Sequence, residues 1–230
     1  MKLYITKVFA CLLITGMVIF SGVQSKAAGN HFFKDTTAAK QYPAKPNDVS
    51  PLLTGERIPA VKIPAADGQL FDLNEHIAQK PTVLIFYRGG WCPFCNKELA
   101  GIQGIQQELV SLGYQVIAIS TDSPENLNKS IGKHHLSYTL LSDADLNITK
   151  QFGLAFKAPK EYDPIITAGS GGKNVDKLLP VPSVFILDKK GTIRYEYVNP
   201  DFTQRISSAL LRSVAKAINE DDAVKTNTGN

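Results

Sequence analysis

The sequence predicts an α/β sandwich, a mixed central sheet flanked by helices, and three observations carry that prediction. The runs "TVLIFY" and "YQVIAIST" are rich in β-branched and aromatic residues and lack polar alternation, the pattern of strands buried on both faces of a sheet. Between them Leu99, Ile102, Ile105, Leu109 and Leu112 recur at spacings of three and four, the stripe of an amphipathic helix that ends at Gly113. Near the end, "SVFILD" and "TIRYEYV" flank "KKG" as a hairpin, and "TQRISSALLRSVAKAIN" follows as a second amphipathic helix. Alternating strands and helices closed by a hairpin and a helix bury their apolar faces as layers.

Taken in order, the chain begins outside that fold. Lys2 and Lys7 precede an uncharged run from Val8 to Phe20, and Ser25 and Ala27 fit the small-residue positions of a cleavage site, so residues 1–27 read as a secretory signal peptide. That run is too short for a spanning helix, which needs about 20 apolar residues. Residues 28–50 are polar, carry Pro43 and Pro46, and read as a linker or loosely held arm. The domain is expected over residues 51–219. Its first elements are "AVKIP" and "QLFDL" about the turn "AADG", then the buried strand "PTVLIFYR". After the long helix and "YQVIAIST", Ser123 and Pro124 mark the cap and first position of another helix. "SYTLLSD" is a further strand and "ADLNITKQFG" a short helix. The connection 156–180 is longer than an ordinary loop and is expected to border the site, and residues 220–230 read as a frayed, disordered tail.

Composition limits the function classes. At 230 residues, 43% hydrophobic and 20% charged, the chain can bury a core without staples or metals. Its net charge of +4 owes three units to Lys2, Lys7 and Lys26, so the predicted mature chain carries 22 basic against 21 acidic residues. No nucleic-acid partner is implied, and none at a membrane once the signal is removed. "TAGSGGKN" lacks the glycine and hydroxyl spacing of a phosphate-binding loop.

Of the three cysteines, Cys11 lies in the signal run, leaving Cys92 and Cys95. A pair two residues apart can serve a metal, a staple or redox chemistry. Zinc needs about four ligands, and His31, His76, His134 and His135 are scattered, so no metal site is expected. A disulfide closing so short a loop restricts the unfolded chain little. Redox chemistry fits best, because the pair falls where a buried strand gives way to a helix N-terminus. There, free backbone N–H groups and the helix dipole favour the Cys92 thiolate. Pro93 preorganises the first turn. Cys95, one turn on, can attack a mixed disulfide at Cys92. Arg88 is a candidate cationic partner for the thiolate.

"VLIFYRGGWCPFCNKELAGIQ" resembles the active-site segment of thioredoxin-fold redoxins, most closely the peroxiredoxin-like branch of the AhpC/TSA (alkyl hydroperoxide reductase and thiol-specific antioxidant) family. "LPVPSVFILDKKGTIRYEYVNPDF" resembles that family's second landmark. The resemblance implies a thioredoxin-like three-layer sandwich over about residues 51–219. It also implies that Val181 and Pro182 face the cysteines, a cis bond presenting the Val181 backbone to a bound thiol. It implies no cofactor beyond a redox-active Cys92–Cys95 disulfide. One departure matters: where typical members place Thr or Ser three residues before the peroxide-attacking cysteine, this chain has Gly89, and where they place an Arg on a later strand it has Pro182. Trp91, the C-x-x-C spacing and the proline loop are the thioredoxin-like remainder.

The expected function is an exported thiol-disulfide oxidoreductase, periplasmic or extracellular, with Cys92 as nucleophile and Cys95 as resolving thiol. Its partners are a thiol or disulfide protein as electron donor or acceptor, with hydroperoxides as alternative substrates. A non-catalytic binding module is the reading from another class.

Overall fold

A computed structural model describes residues 41–228. The predicted signal peptide and most of the predicted linker lie outside the described residues. The first elements are β1 (Lys62–Pro64) and β2 (Leu70–Asp72), an antiparallel hairpin, followed by α1 (Leu73–Gln79). Next come β3 (Thr82–Tyr87), α2 (Pro93–Ser111), β4 (Gln115–Ser120), α3 (Pro124–His134), β5 (Thr139–Ser142) and α4 (Asn147–Gln151). A small excursion follows: β6 (Ala155–Lys157), α5 (Asp163–Gly169) and β7 (Leu178–Pro180). The chain then returns through β8 (Ser183–Leu187) and β9 (Ile193–Val198) and ends in α6 (Ser208–Thr228).

The central sheet has the order β5-β4-β3-β8-β9. β3, β4 and β5 run parallel and β8 and β9 antiparallel, so the sheet is mixed as predicted. Successive residues of β3 point to opposite faces, and each face has its own core. Val83, Ile85 and Tyr87 pack with Leu99, Ile102 and Leu109 of α2 and Leu211 and Ala215 of α6. Leu84 and Phe86 pack with Leu73 and Ile77 of α1, Ile63 of β1 and Phe152 beyond α4. Two helical layers on one sheet give the three-layer sandwich, and every residue of β3 is buried.

Four local readings differ from the sequence expectation. "LFDL" is not extended throughout: Asp72 accepts the N–H groups of Asn74 and Glu75, both at 3.1 Å, and caps α1. The connection 156–180 is built rather than loose, because β6 pairs antiparallel with β7 across it, Ala155 opposite Pro180. Residues 41–50, expected as part of the arm, lie against the domain: Tyr42 packs on Leu146, Ala155 and Leu178, and Lys157 N–H donates to Pro43 O at 2.8 Å. The tail expected after residue 219 continues α6 to Thr228, held by Arg194 pairing with Asp222 at 2.7 Å and by the i,i+4 pair of Asp221 and Lys225.

Candidate active site

Both cysteines sit where β3 hands over to α2. Arg88, Gly89, Gly90 and Trp91 connect the two elements, and Asp122, just past the neighbouring strand β4, holds this loop by accepting Gly90 N–H at 2.7 Å. Gly89 has φ +145°, and a Cβ there would collide with Trp91 Nε1 and lie 2.8 Å from Asp122 Oδ1. The threonine or serine that the resemblance leads one to expect at this position therefore has no room. A side chain at Gly90 would run into Ser130 Oγ. The loop is glycine-rich because α3 and Asp122 approach it closely.

Cys92 is the N-cap of α2, with φ −89° and ψ 117°, and exposed Pro93 takes the first helical position as predicted. Cys92 is 1% exposed and Cys95 is fully buried, and both are free thiols. The Cys92 thiol is pulled down to about 6, first by hydrogen bonding from the Cys95 side chain and then from its backbone N–H, with help from the charges of Arg88 and Arg205, against the opposing effect of burial. Cys95 goes the other way: burial, then its hydrogen bond to Cys92, hold it well above the ordinary thiol range. One thiol is prepared as an anion near neutral pH while its neighbour keeps its proton.

Two arginines serve this pair, and only Arg88 was found from the sequence. Arg88 is 3% exposed, and its guanidinium lies 4.9 Å from the Trp91 ring centroid, 4.6 Å from Tyr162 and 4.4 Å from Phe202. Its Nε has no hydrogen-bond partner among the described residues. None of the ion pairs among the described residues includes it. Arg205, from the loop between β9 and α6, reaches Cys95 Sγ with Nη2 at 3.4 Å and pairs through Nε with Glu98 at 2.9 Å. Its Nη1 also donates to the Phe202 and Gln204 carbonyls. Arg205 is 110 residues from Cys95 and belongs to no motif, so nothing local in the sequence could have indicated it. Glu98 was readable: it lies three residues after Cys95, hence on the same helical side, yet its charge suggested an outer face. Its side chain is 2% exposed, and burial raises its pKa to about 7 although Arg205 opposes the shift.

The proline loop differs most from expectation. No cis peptide bond occurs among the described residues, so the Val181–Pro182 bond is trans. Val181 does not offer its backbone to a ligand: its N–H donates to Leu154 O at 2.9 Å and its carbonyl accepts the Ser183 hydroxyl at 2.8 Å. Pro182 does approach the site, since it lines, with Arg88, Phe156, Pro159, Tyr162 and Phe202, an almost wholly apolar pocket of about 170 Å³. Tyr162 and Pro159 come from the 156–180 connection, which borders the site as expected. Among the described residues no group of three His, Cys, Asp or Glu side chains could hold a metal ion.

The family model described as AhpC/TSA matches residues 54–196, more than half of the chain, including the loop, both cysteines and the central sheet up to Glu196 in β9. The chain belongs to the AhpC/TSA family. Peroxiredoxin Bcp of Escherichia coli K12 is 34% identical over 106 residues, covering 46% of this chain and 67% of that protein. The chloroplastic peroxiredoxin Q of Populus jackii is 28% identical over 145 residues, 63% of this chain and 60% of that one. Among solved structures, peroxidoxin BcpB of Mycobacterium tuberculosis superposes with a TM-score of 0.59 at 22% identity, covering 72% of this chain and 97% of its own, and shares the fold. This AhpC/TSA protein is a peroxiredoxin-like thiol oxidoreductase with a thioredoxin-like fold.

Proposed function

We propose that this AhpC/TSA protein reduces hydroperoxides through a dithiol–disulfide cycle confined to Cys92 and Cys95. The Cys92 thiolate attacks the peroxide O–O bond, becomes a sulfenic acid and releases water or an alcohol. Cys95 then displaces the hydroxyl as water to form the Cys92–Cys95 disulfide, which an external dithiol reduces. The observation that carries this reading is the setting of Cys92: 1% exposed, lowered to about 6, and under the charges of Arg88 and Arg205. A nucleophile so enclosed favours a small substrate over a folded protein's disulfide, and two cations can steady the peroxide oxygens where the family's usual threonine and arginine are absent. The pocket beside Arg88 is apolar and suits an organic body on that substrate.

Purified protein with a dithiol donor is expected to consume hydrogen peroxide or an alkyl hydroperoxide far faster than free dithiothreitol does, and Cys92→Ser to abolish the activity. A second reading, reduction of protein disulfides, is favoured by the C-x-x-C spacing. Rapid reduction of insulin with no peroxide turnover would select it.

We also propose that the protein is exported and loses residues 1–27, on the charge and apolar pattern of its first residues. N-terminal sequencing of protein from its native host should then begin at Ala28; retention of Lys2 would refute export by this signal.

A further inference from the structure

Glu98 is a buried carboxylate that the cycle above does not use. It shares a single cation with the resolving thiol, since Arg205 pairs with Glu98 at 2.9 Å and reaches Cys95 Sγ at 3.4 Å. Side-chain exposures of 9% for Arg205 and 2% for Glu98 leave little water to screen either charge. Because Glu98 and Cys95 share the Arg205 guanidinium, the buried pair favours one of the two as an anion at a time.

We propose that Glu98 and Arg205 form a charge-exchange device for the resolving step, in which Arg205 stays paired with one negative charge that passes from the Glu98 carboxylate to the Cys95 sulfur as Glu98 takes up the proton Cys95 loses. This rests on Cys95 being the resolving thiol. As the Cys95 thiolate attacks, the Cys92–Cys95 S–S bond forms and the bond from Cys92 Sγ to its leaving group breaks. The leaving hydroxide or thiolate then takes the proton that Glu98 holds. Atoms and charge balance, and the buried pocket stays neutral throughout. Arg205 touches the reacting sulfur; Glu98 acts through it, as a positioning residue and proton store.

The surroundings fit this exchange. Burial places Glu98 near neutrality, with Arg205 opposing and the Cys92 charge adding to the shift. Among the described residues, the other groups facing it are the Tyr138 hydroxyl, already donating to Leu99 O at 3.0 Å, and Lys97, exposed on the rim of the groove beside it. A groove of about 480 Å³ lined by Phe94, Glu98, Gly101, Thr203, Arg205 and Ser207 borders the pair.

The test separates the two chemical steps. Reduced protein is mixed with one equivalent of hydrogen peroxide, sulfenic acid and disulfide are followed by quenched mass spectrometry, and the second step is measured against pH. Glu98→Gln is expected to leave sulfenic acid formation within about twofold, to slow disulfide formation at least tenfold, and to remove an inflection near neutral pH from that step alone. Disulfide formation at the wild-type rate with the wild-type pH profile would overturn the proposal. Failure to form sulfenic acid at Cys92 in the wild type would instead overturn the reading of the cycle on which it rests. Should the variant not fold, wild-type protein carrying a methanethiol mixed disulfide at Cys92 gives the same information. Its release by Cys95 should level off above neutral pH, whereas a rate that climbs steadily toward the titration of an unassisted buried thiol overturns the proposal.

Discussion

Arg88 holds its charge in a nearly dry place against the ring faces of Trp91, Tyr162 and Phe202. Three contacts of this kind together contribute about 1.5–6 kcal/mol, comparable with the several kcal/mol that desolvating a cation costs, so the residue adds little net stability to the reduced fold. Its gain lies in the Cys92 thiolate, whose titration it lowers. Arg88→Met is therefore expected to leave thermal stability unchanged or raised while moving the iodoacetamide titration of Cys92 upward from about 6 and slowing peroxide turnover at least tenfold. A large loss of stability with an unmoved titration would mean that Arg88 serves packing instead. Gly89→Thr would restore the family's usual residue, yet at φ +145° and against Trp91 and Asp122 it should destabilise by about 1–3 kcal/mol and lose activity, as thermal melts and peroxide assays would show. This residue also marks how far the sequence could be read. "RGGWCPFC" disclosed the cysteines, the cap, Pro93 and Arg88, because strand, loop and helix are contiguous there. Arg205 arrives from a distant loop, and only the tertiary fold brings it to Cys95.

At the scale of elements, local chemistry made the strands and long helices legible and hid the short pieces. The buried runs of β3 and β4 and the stripe of α2 lie where their periodicity placed them. α1 was missed because seven residues hold only one i,i+4 pair, Leu73 and Ile77, and because its cap, Asp72, also ends a strand. β6 and β7 were missed because their pairing joins residues more than twenty apart, which no local pattern encodes. Element ends also supply the pH response. Burial raises Asp122, which pins the Gly90 loop, and Asp143, which accepts the N–H groups of Ile148 and Thr149 at the start of α4, both to about 6, and Glu98 to about 7. Carboxyls raised on folding contribute stability that is complete below their ordinary values of 3.8 and 4.5 and is lost as pH rises through 6 and 7. The lowered Cys92 thiol acts oppositely, its contribution present above 9.0 and lost as pH falls through about 6. The melting temperature of the oxidised protein is thus expected to fall from pH 4 to 7 (roughly) and then level, while that of the reduced protein recovers above neutrality. Identical curves for the two redox forms would contradict the assignment of Cys92 as the lowered thiol.

The whole molecule sets these groups around one loop. β3 in the centre of the sheet fixes Arg88, α2 fixes both cysteines and Glu98, the excursion between β6 and β7 supplies Tyr162, and the segment before α6 brings Phe202 and Arg205. Four separate segments thus meet at two sulfur atoms. Tyr162→Ala, on the excursion, should loosen the cage around Arg88 and raise KM for an alkyl hydroperoxide more than for hydrogen peroxide, a difference steady-state kinetics can resolve. The order of roles at the two sulfurs is the central claim, and a single-turnover reaction with one equivalent of hydroperoxide tests it most directly. In Cys95→Ser, dimedone should label Cys92 as a sulfenic acid, and in the wild type the same dose should yield the Cys92–Cys95 disulfide at a rate far above that of a free dithiol. A label on Cys95 in Cys92→Ser at a comparable rate, or oxidation no faster than that of dithiothreitol, would contradict it.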